Sequence, residues 1–207
     1  GQQTRYRYDQ LGRRTAVIPP HPAGREPIDQ TCDDPSAAYQ GEWETASGGW
    51  QSGSHVAAGG ETDEVSATWS FAGLLAGATY EVLATWDAQS ANSSAVHYRL
   101  SDSAGPLGAV VEVDQQQITA DVMDQQRAWQ RLAVVALTGD TLHVQLTPAS
   151  AAGRVVADGV RVIELFGTSY TTYDLQGNAV SQTDGLGNTT RYTYDESSHC
   201  TSMTDAH

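Results

Sequence analysis

The six histidines, His21, His55, His97, His143, His199 and His207, are the first residues to weigh for metal or acid–base chemistry. None stands at an H-x-H or H-x-x-x-H spacing, and the lone His199-Cys200 neighbour pair makes no ligand set, so the sequence offers no transition-metal site. In Gly53-Ser54-His55 the serine lacks the G-x-S-x-G elbow and the acidic partner of a nucleophile. Glu61, Asp63 and Glu64 cluster before an apolar run. Two carboxylates can cleave a glycosidic bond only when a fold fixes their separation. In so acidic a chain this cluster reads as a solvated loop. No catalytic constellation emerges, and the expectation is a protein that is not an enzyme.

Two other residue classes carry more. Asp158 interrupts the apolar run Val155-Val156-Ala157-Asp158-Gly159-Val160. A carboxylate buried there is costly unless satisfied. It can accept backbone N–H groups at a strand irregularity, which is the expectation. It can also ligate a structural calcium ion with Glu42 or another early carboxylate, and calcium is the one cofactor so suggested. Trp69 and Trp86 share strand faces with aliphatic residues, and Trp129 is expected to join them in the core. Trp43 and Trp50 lie in Gly-rich sequence without alternation. Such rings stack on a sugar or close one end of a sandwich. If the chain binds a glycan, Trp50 is the expected contact. Trp43 and Tyr39 come next, with Gln51 and Ser52 fixing orientation.

The elements that must position these residues are strands. Leu142, Val144 and Leu146 alternate with Thr141, His143 and Gln145, a period-two pattern with one buried face. A second strand follows over Gly153–Val162, where Asp158-Gly159 signals a bulge or a close backbone approach. Val65, Ala67, Trp69 and Phe71 share one face; Tyr80, Val82, Ala84 and Trp86 share another; so do Val96, Tyr98 and Leu100. Turn signals separate these runs. Roughly seven or eight short strands with no convincing helix give an antiparallel β-sandwich over residues 39–166. Gln115–Gln126 is the weakest stretch and is compatible with a short helical turn.

The flanks read differently. Tyr6-Arg7-Tyr8-Asp9-Gln10-Leu11-Gly12 brackets a type I turn with Asp and Gly. The phrase returns at Tyr170–Gly177 and again at Thr190-Arg191-Tyr192-Thr193-Tyr194-Asp195, with the turn echoed at Asp184-Gly185-Leu186-Gly187-Asn188. Asp174 and Asp195 are 21 residues apart, a period that marks a repeat array. These residues resemble the YD repeats of RHS-type proteins, over about 1–18 and 167–207. The last copy departs, with Ser198 at the turn-glycine position. The resemblance implies β-hairpins that coil into a non-catalytic shell on secreted or cell-surface bacterial proteins, whose partner is the rest of that shell. Because array members pair with neighbours, the strand at Tyr6–Asp9 is expected to pair with, or lie beside, one from 168–195. Residues 19–38, with five prolines, read as an irregular linker.

The middle block carries a second resemblance. Trp69, Gly77-Ala78-Thr79-Tyr80-Glu81-Val82, Trp86, Val111-Glu112-Val113-Asp114-Gln115, Trp129 with Leu132, and Val155–Val162 occur in the order seen in the golvesin and xanthan-lyase C-terminal domain. That resemblance implies a jelly-roll-like, carbohydrate-binding-like sandwich on extracellular bacterial proteins.

Composition narrows the partners. The net charge is −14 and every basic residue among the 11 Lys and Arg is arginine. Nucleic acid and anionic membrane surfaces need clustered cations, so neither is expected as a partner. No apolar run is long enough to span a membrane. The same charge favours a neutral or cationic glycan and opposes an acidic one unless Ca²⁺ bridges it or the few arginines cluster at the site. Cys32 and Cys200 form no C-x-x-C pair; they read as two separate thiols or as a disulfide joining the flanks. Gly1 is not a natural start, and the chain is expected to be a fragment of something longer. The expectation is an all-β, antiparallel, jelly-roll-like sandwich flanked by β-hairpin YD repeats. Its role would be a structural or interaction module, with a glycan-binding module as the alternative.

Overall fold

The computed structural model describes residues 4–9, 11–19, 26–51, 53–60, 64–124, 126–149, 152–184 and 188–205. His21, His207, Ser52, Glu61, Asp63 and the turn at 185–187 lie outside the described residues. The chain divides into two compact units: Gly1–Pro27 with Leu165–His207, and Ile28–Glu164.

The first unit is one antiparallel sheet. Its strands are β1 (Arg5–Tyr8), β2 (Arg14–Ile18), β17 (Ser169–Tyr173), β18 (Ala179–Thr183), β19 (Thr189–Tyr194) and β20 (Cys200–Thr204), numbered by place in the whole chain. Their order across the sheet is β1-β2-β17-β18-β19-β20, which is the order of the chain. The strand from the N-terminal flank that pairs with the C-terminal flank is β2, with Val17 opposite Ser169 and Ala16 opposite Tyr170. β1 lies one strand further out, paired to β2. Successive hairpins stack side by side, and residues 28–164 leave and return between two adjacent strands.

The second unit is a β-sandwich. One sheet has the order β10-β9-β14-β7-β4, with β11 also on β9. These are β4 (Ala38–Gln40), β7 (Ser66–Ala72), β9 (Val96–Asp102), β10 (Gly105–Pro106), β11 (Val111–Val113) and β14 (Thr141–Pro148). The facing sheet runs β12-β13-β8-β16-β3. It comprises β3 (Asp29–Cys32), β8 (Thr79–Thr85), β12 (Val122–Asp124), β13 (Arg127–Ala136) and β16 (Gly159–Glu164). β5 (Glu44–Ala46), β6 (Ser54–Ala58) and β15 (Arg154–Ala157) make a small third sheet. The alternating residues read from sequence meet between the two large sheets: Trp69, Phe71, Tyr98, Leu142, Val144 and Leu146 from one, Tyr80, Val82, Trp86 and Val162 from the other. Alternation buries them because side chains two apart share a face.

Several features differ from the sequence expectation. Among its described residues Gln115–Gln126 holds strand β12 and no helix; the one helical element among the described residues is a 3-10 turn at Asp34–Ser36. β3 lies within the proline-rich stretch expected to be irregular. Its four residues fall between Pro27 and Pro35, and it sits at a sheet edge, paired to β16 alone. Trp129 is buried, but in a second cluster with Leu83, Val122 and Ile163 on the opposite face of the β8 sheet. The cause is a bulge in β13 between Arg131 and Ala133, which gives Leu132 to the main core and leaves Trp129 on the other side.

Candidate functional site

The chain changes sheets at Asp158. β15 pairs with β6 in the small sheet, and β16, one residue later, pairs with β8 and β3 in a large one. Sandwich corners are made by strands that switch sheets at such irregularities. Space around Gly159 is tight. A Cβ on it would stand 3.1 Å from Thr85 Cγ2 and 3.3 Å from both the Trp129 and Trp50 rings.

The Asp158 side chain is fully enclosed. Its Oδ1 accepts the Trp50 backbone N–H at 2.8 Å, and its Oδ2 accepts Arg127 Nη2 at 2.5 Å. Arg127 is held in turn by Thr85, whose Oγ1 accepts Arg127 Nε at 2.7 Å and donates to the Ala128 carbonyl at 2.8 Å. Burial pushes the Asp158 carboxyl up to about 7, against the Trp50 amide and Arg127, while Asp33 and Asp34 add repulsion. Of the two readings open for Asp158, the backbone bond is realised, together with an arginine that sequence could not place. The second carboxylate oxygen is taken by Arg127, and Glu42, the other residue named for a calcium site, is exposed. Among the described residues no three of His, Cys, Asp and Glu gather as a metal set.

The aromatic candidates separate into two places. Trp50 is half-buried, packed edge-on against Trp129 with ring centroids 5.6 Å apart, and it closes the second cluster. Gln51 is exposed beside it. The loop reaching Trp50 is compressed: a Cβ on Gly49, which has φ +120°, would stand 2.3 Å from the Gly53 carbonyl oxygen. Tyr39 and Trp43 are in ring contact at 5.1 Å, and Tyr39 also lies against the His55 ring at 4.6 Å. His55 Nδ1 meets the buried Asp34 Oδ2 at 2.7 Å, and the Tyr39 hydroxyl donates to the Asp34 carbonyl at 2.8 Å. Trp43 Nε1 donates to the Gln40 carbonyl at 3.0 Å. Sequence reasoning weighed His55 only within Gly53-Ser54-His55 and set it aside for want of an acidic partner; the carboxylate it meets, Asp34, lies 21 residues earlier on a 3-10 turn, which local sequence did not connect to it.

A buried glutamine accounts for part of the motif order. Gln115 pairs both amide atoms with the Val156 backbone, Nε2 donating to the carbonyl and Oε1 accepting the N–H, each at 2.8 Å. A side-chain amide here does what a neighbouring strand would do.

In the repeat sheet the aspartates close the hairpins. Asp9 Oδ1 accepts the N–H groups of Leu11 and Arg13; Asp174 and Asp184 accept those of Asn178 and Asn188; Asp195 accepts those of Ser197 and His199. This is the local chemistry for which turns favour Asp. The tyrosine before two of these aspartates reaches the previous hairpin. Tyr173 Oη donates to the Arg14 carbonyl and Tyr194 Oη to the Ala179 carbonyl, each at 3.0 Å. Arg14 and Ala179 both open the second strand of a hairpin, so the two contacts are copies of one another. Arg13 adds a cation–π contact to the Tyr173 ring at 4.8 Å. Cys32 and Cys200 are both free thiols, so the disulfide reading is not realised.

The family described as RHS Repeat matches residues 173–207. No curated protein matches the chain. Among solved structures, Paenibacillus xanthan lyase is similar at 20% identity and a TM-score of 0.52, over 65% of this chain and 13% of that one. A Podospora anserina GH26-CBM35 beta-(1,4)-mannanase is similar at 14% identity and a TM-score of 0.45, over 66% of this chain and 27% of that one. The chain thus spans a small part of each. The likeness to the xanthan lyase is one of fold, the β-sandwich. Among the described residues no helix is long and apolar enough to cross a membrane.

Proposed function

We propose that this chain is a non-catalytic structural and interaction module of a large secreted or cell-surface bacterial YD-repeat protein. In this reading a golvesin-like sandwich is carried in one loop of the repeat array. The partner of the array is further repeat sheet of the same protein. The observation that carries the reading is strand order: β1-β2-β17-β18-β19-β20 follows the chain, with the whole sandwich looped out between neighbours β2 and β17. The repeated tyrosine contacts support it, since each ties one hairpin to the one before. Isolated hairpins are marginal and gain stability from neighbours on both sides. The test is native-state hydrogen exchange on the whole chain. Protection of the β2 and β17 amides that is as strong as that within β18 and β19 is expected of one array. Fast exchange at β2 and β17 alone would refute it.

The alternative is a carbohydrate-binding module for a neutral glycan. It is favoured by the xanthan-lyase-like fold and by the Tyr39–Trp43 ring pair, whose aromatic faces suit a sugar. Glycan-array binding by the whole chain separates the two readings; the structural reading expects none.

A further inference from the structure

The outer face of the β9-β14-β7 sheet carries a groove of about 470 Å³ that no aromatic candidate lines. Its floor is an ordered grid. Gln145 on β14 stands opposite Thr68 on β7 and Arg99 on β9; two residues along, His143 stands opposite Ser70 and Ser101. All six point away from the core because they alternate with Ala67, Trp69, Phe71, Tyr98, Leu100, Leu142, Val144 and Leu146, which are buried. The grid is pre-set. His143 Nδ1 and Ser70 Oγ lie 2.9 Å apart, and Arg99 Nη1 donates to Thr147 Oγ1 at 2.9 Å.

One wall is the connection from β10 to β11, with Pro106, Gly108, Ala109 and Val110. It is fastened at both ends: Gly105–Pro106 pairs with Asp102 and Ser101, and β11 pairs with Val96–Tyr98. The Leu107 N–H donates to the Leu100 carbonyl at 2.8 Å and holds the wall against the sheet edge. Val110 remains 47% exposed, an apolar surface facing a hydroxyl- and amide-bearing floor.

We propose that this groove binds a segment of a neutral oligosaccharide. The proposal rests on the carbohydrate-binding alternative and moves its site away from Trp50. Four kinds of observation select the ligand. The floor offers hydroxyls, an amide and an imidazole, groups that both donate and accept, as sugar hydroxyls do, beside the donor-only guanidinium of Arg99, one of whose N–H groups is engaged by Thr147. The wall offers aliphatic surface for the C–H face of a sugar ring. The size falls within the range of small-molecule sites, and a preformed cleft spares ordering entropy. The net charge of −14 sets a field against an acidic chain.

The experiment is a backbone amide NMR titration of the whole 207-residue chain with neutral hexasaccharides of glucose, mannose, galactose and xylose, and with a galacturonate hexamer. Shifts with at least one neutral hexamer at Thr68, Ser101, His143 and Gln145 are expected, with Kd between about 10 μM and 1 mM. Gln145→Ala and Thr68→Ala should each weaken binding about tenfold with an unchanged melting midpoint, and Trp50→Ala should leave it intact. Shifts confined to Tyr39, Trp43 and Trp50 would overturn the groove while leaving the carbohydrate reading standing. Groove shifts with the galacturonate hexamer alone would overturn the neutral assignment. No shift with any hexamer would overturn both the groove and the carbohydrate reading.

Discussion

The hydroxyl of Tyr173 donates to the carbonyl of Arg14, a residue 159 positions away in sequence. The whole sandwich lies in the chain between them, yet the contact copies the one from Tyr194 to Ala179, which spans 15 positions. A repeat array with a domain in one loop requires this equivalence, because the array geometry does not depend on what the loop contains.

Replacing either tyrosine hydroxyl should weaken the array by a small and similar amount. Tyr173→Phe and Tyr194→Phe each remove one hydrogen bond at the sheet surface, worth about 0.5–1.5 kcal/mol. Hydrogen exchange at β2 should rise in the first variant and at β18 in the second. Equal changes everywhere in both variants would contradict a local contact.

The sandwich core should depend on its buried indoles. Trp69→Ala and Trp86→Ala should each cost about 3–5 kcal/mol by leaving a cavity between the sheets. His97→Ala, on the outward face of β9 where the ring is partly exposed beside Glu112, should stay within about 0.5 kcal/mol. Urea titration of the three variants reads this directly, and an unchanged midpoint for Trp69→Ala would show that the core is wrongly placed.

Gly159→Ala should cost about 1–3 kcal/mol, because the added methyl group meets Thr85, Trp129 and Trp50 at once. Trp50 fluorescence should shift with it. A variant as stable as the parent would mean that the corner is looser than described.

Asp158 and Asp102 should give stability slopes of opposite sign against pH. Asp158 is raised by burial from 3.8 to about 7, so between those values the folded state holds a proton that the unfolded state has lost. Its contribution is fully present below about 3.8 and is lost as pH rises through about 7. Asp102 is lowered to about 2 by the Thr138 hydroxyl and the amides of Thr138 and Ala104. Its contribution is present above about 3.8 and is lost as pH falls through about 2. Melting midpoints of the parent minus Asp158→Asn should therefore fall as pH rises from about 4 to 8, while the parent minus Asp102→Asn should fall only in acid. A difference for Asp158→Asn that is flat across the range would refute the buried-carboxylate account.

Much of the fold was legible because long half-buried strands announce themselves. β7, β9 and β14 alternate over seven or eight residues with the apolar face buried, whereas β8 is buried on both faces from Tyr80 to Thr85. Asp158-Gly159 was legible as an irregularity because a carboxylate and a glycine have no place in an apolar strand. Of the short strands, Val111 and Val113 of β11 were legible, but β5 and β12 were not: they have three residues each, too few to show a period. Trp129 was legible as a core residue, but its place in the second cluster was not, because a one-residue bulge reverses which face follows it and composition does not mark the bulge. The Arg127 partner of Asp158 and the Asp34–His55 pair depend on which strands become neighbours, which single-strand patterns do not contain. The groove floor was visible only as the polar halves of three strands; their adjacency in one sheet makes it a site.

The central claim is that β2 and β17 are paired, so that one sheet runs through the point of insertion. Backbone NOE contacts in the whole chain test it most directly. The account predicts cross-strand contacts between Val17 and Ser169 and between Ala16 and Tyr170, alongside those of β1 with β2 and of β17 with β18. Contacts within β1–β2 and within β17–β18, with none between β2 and β17, would mean two independent hairpins and would contradict it.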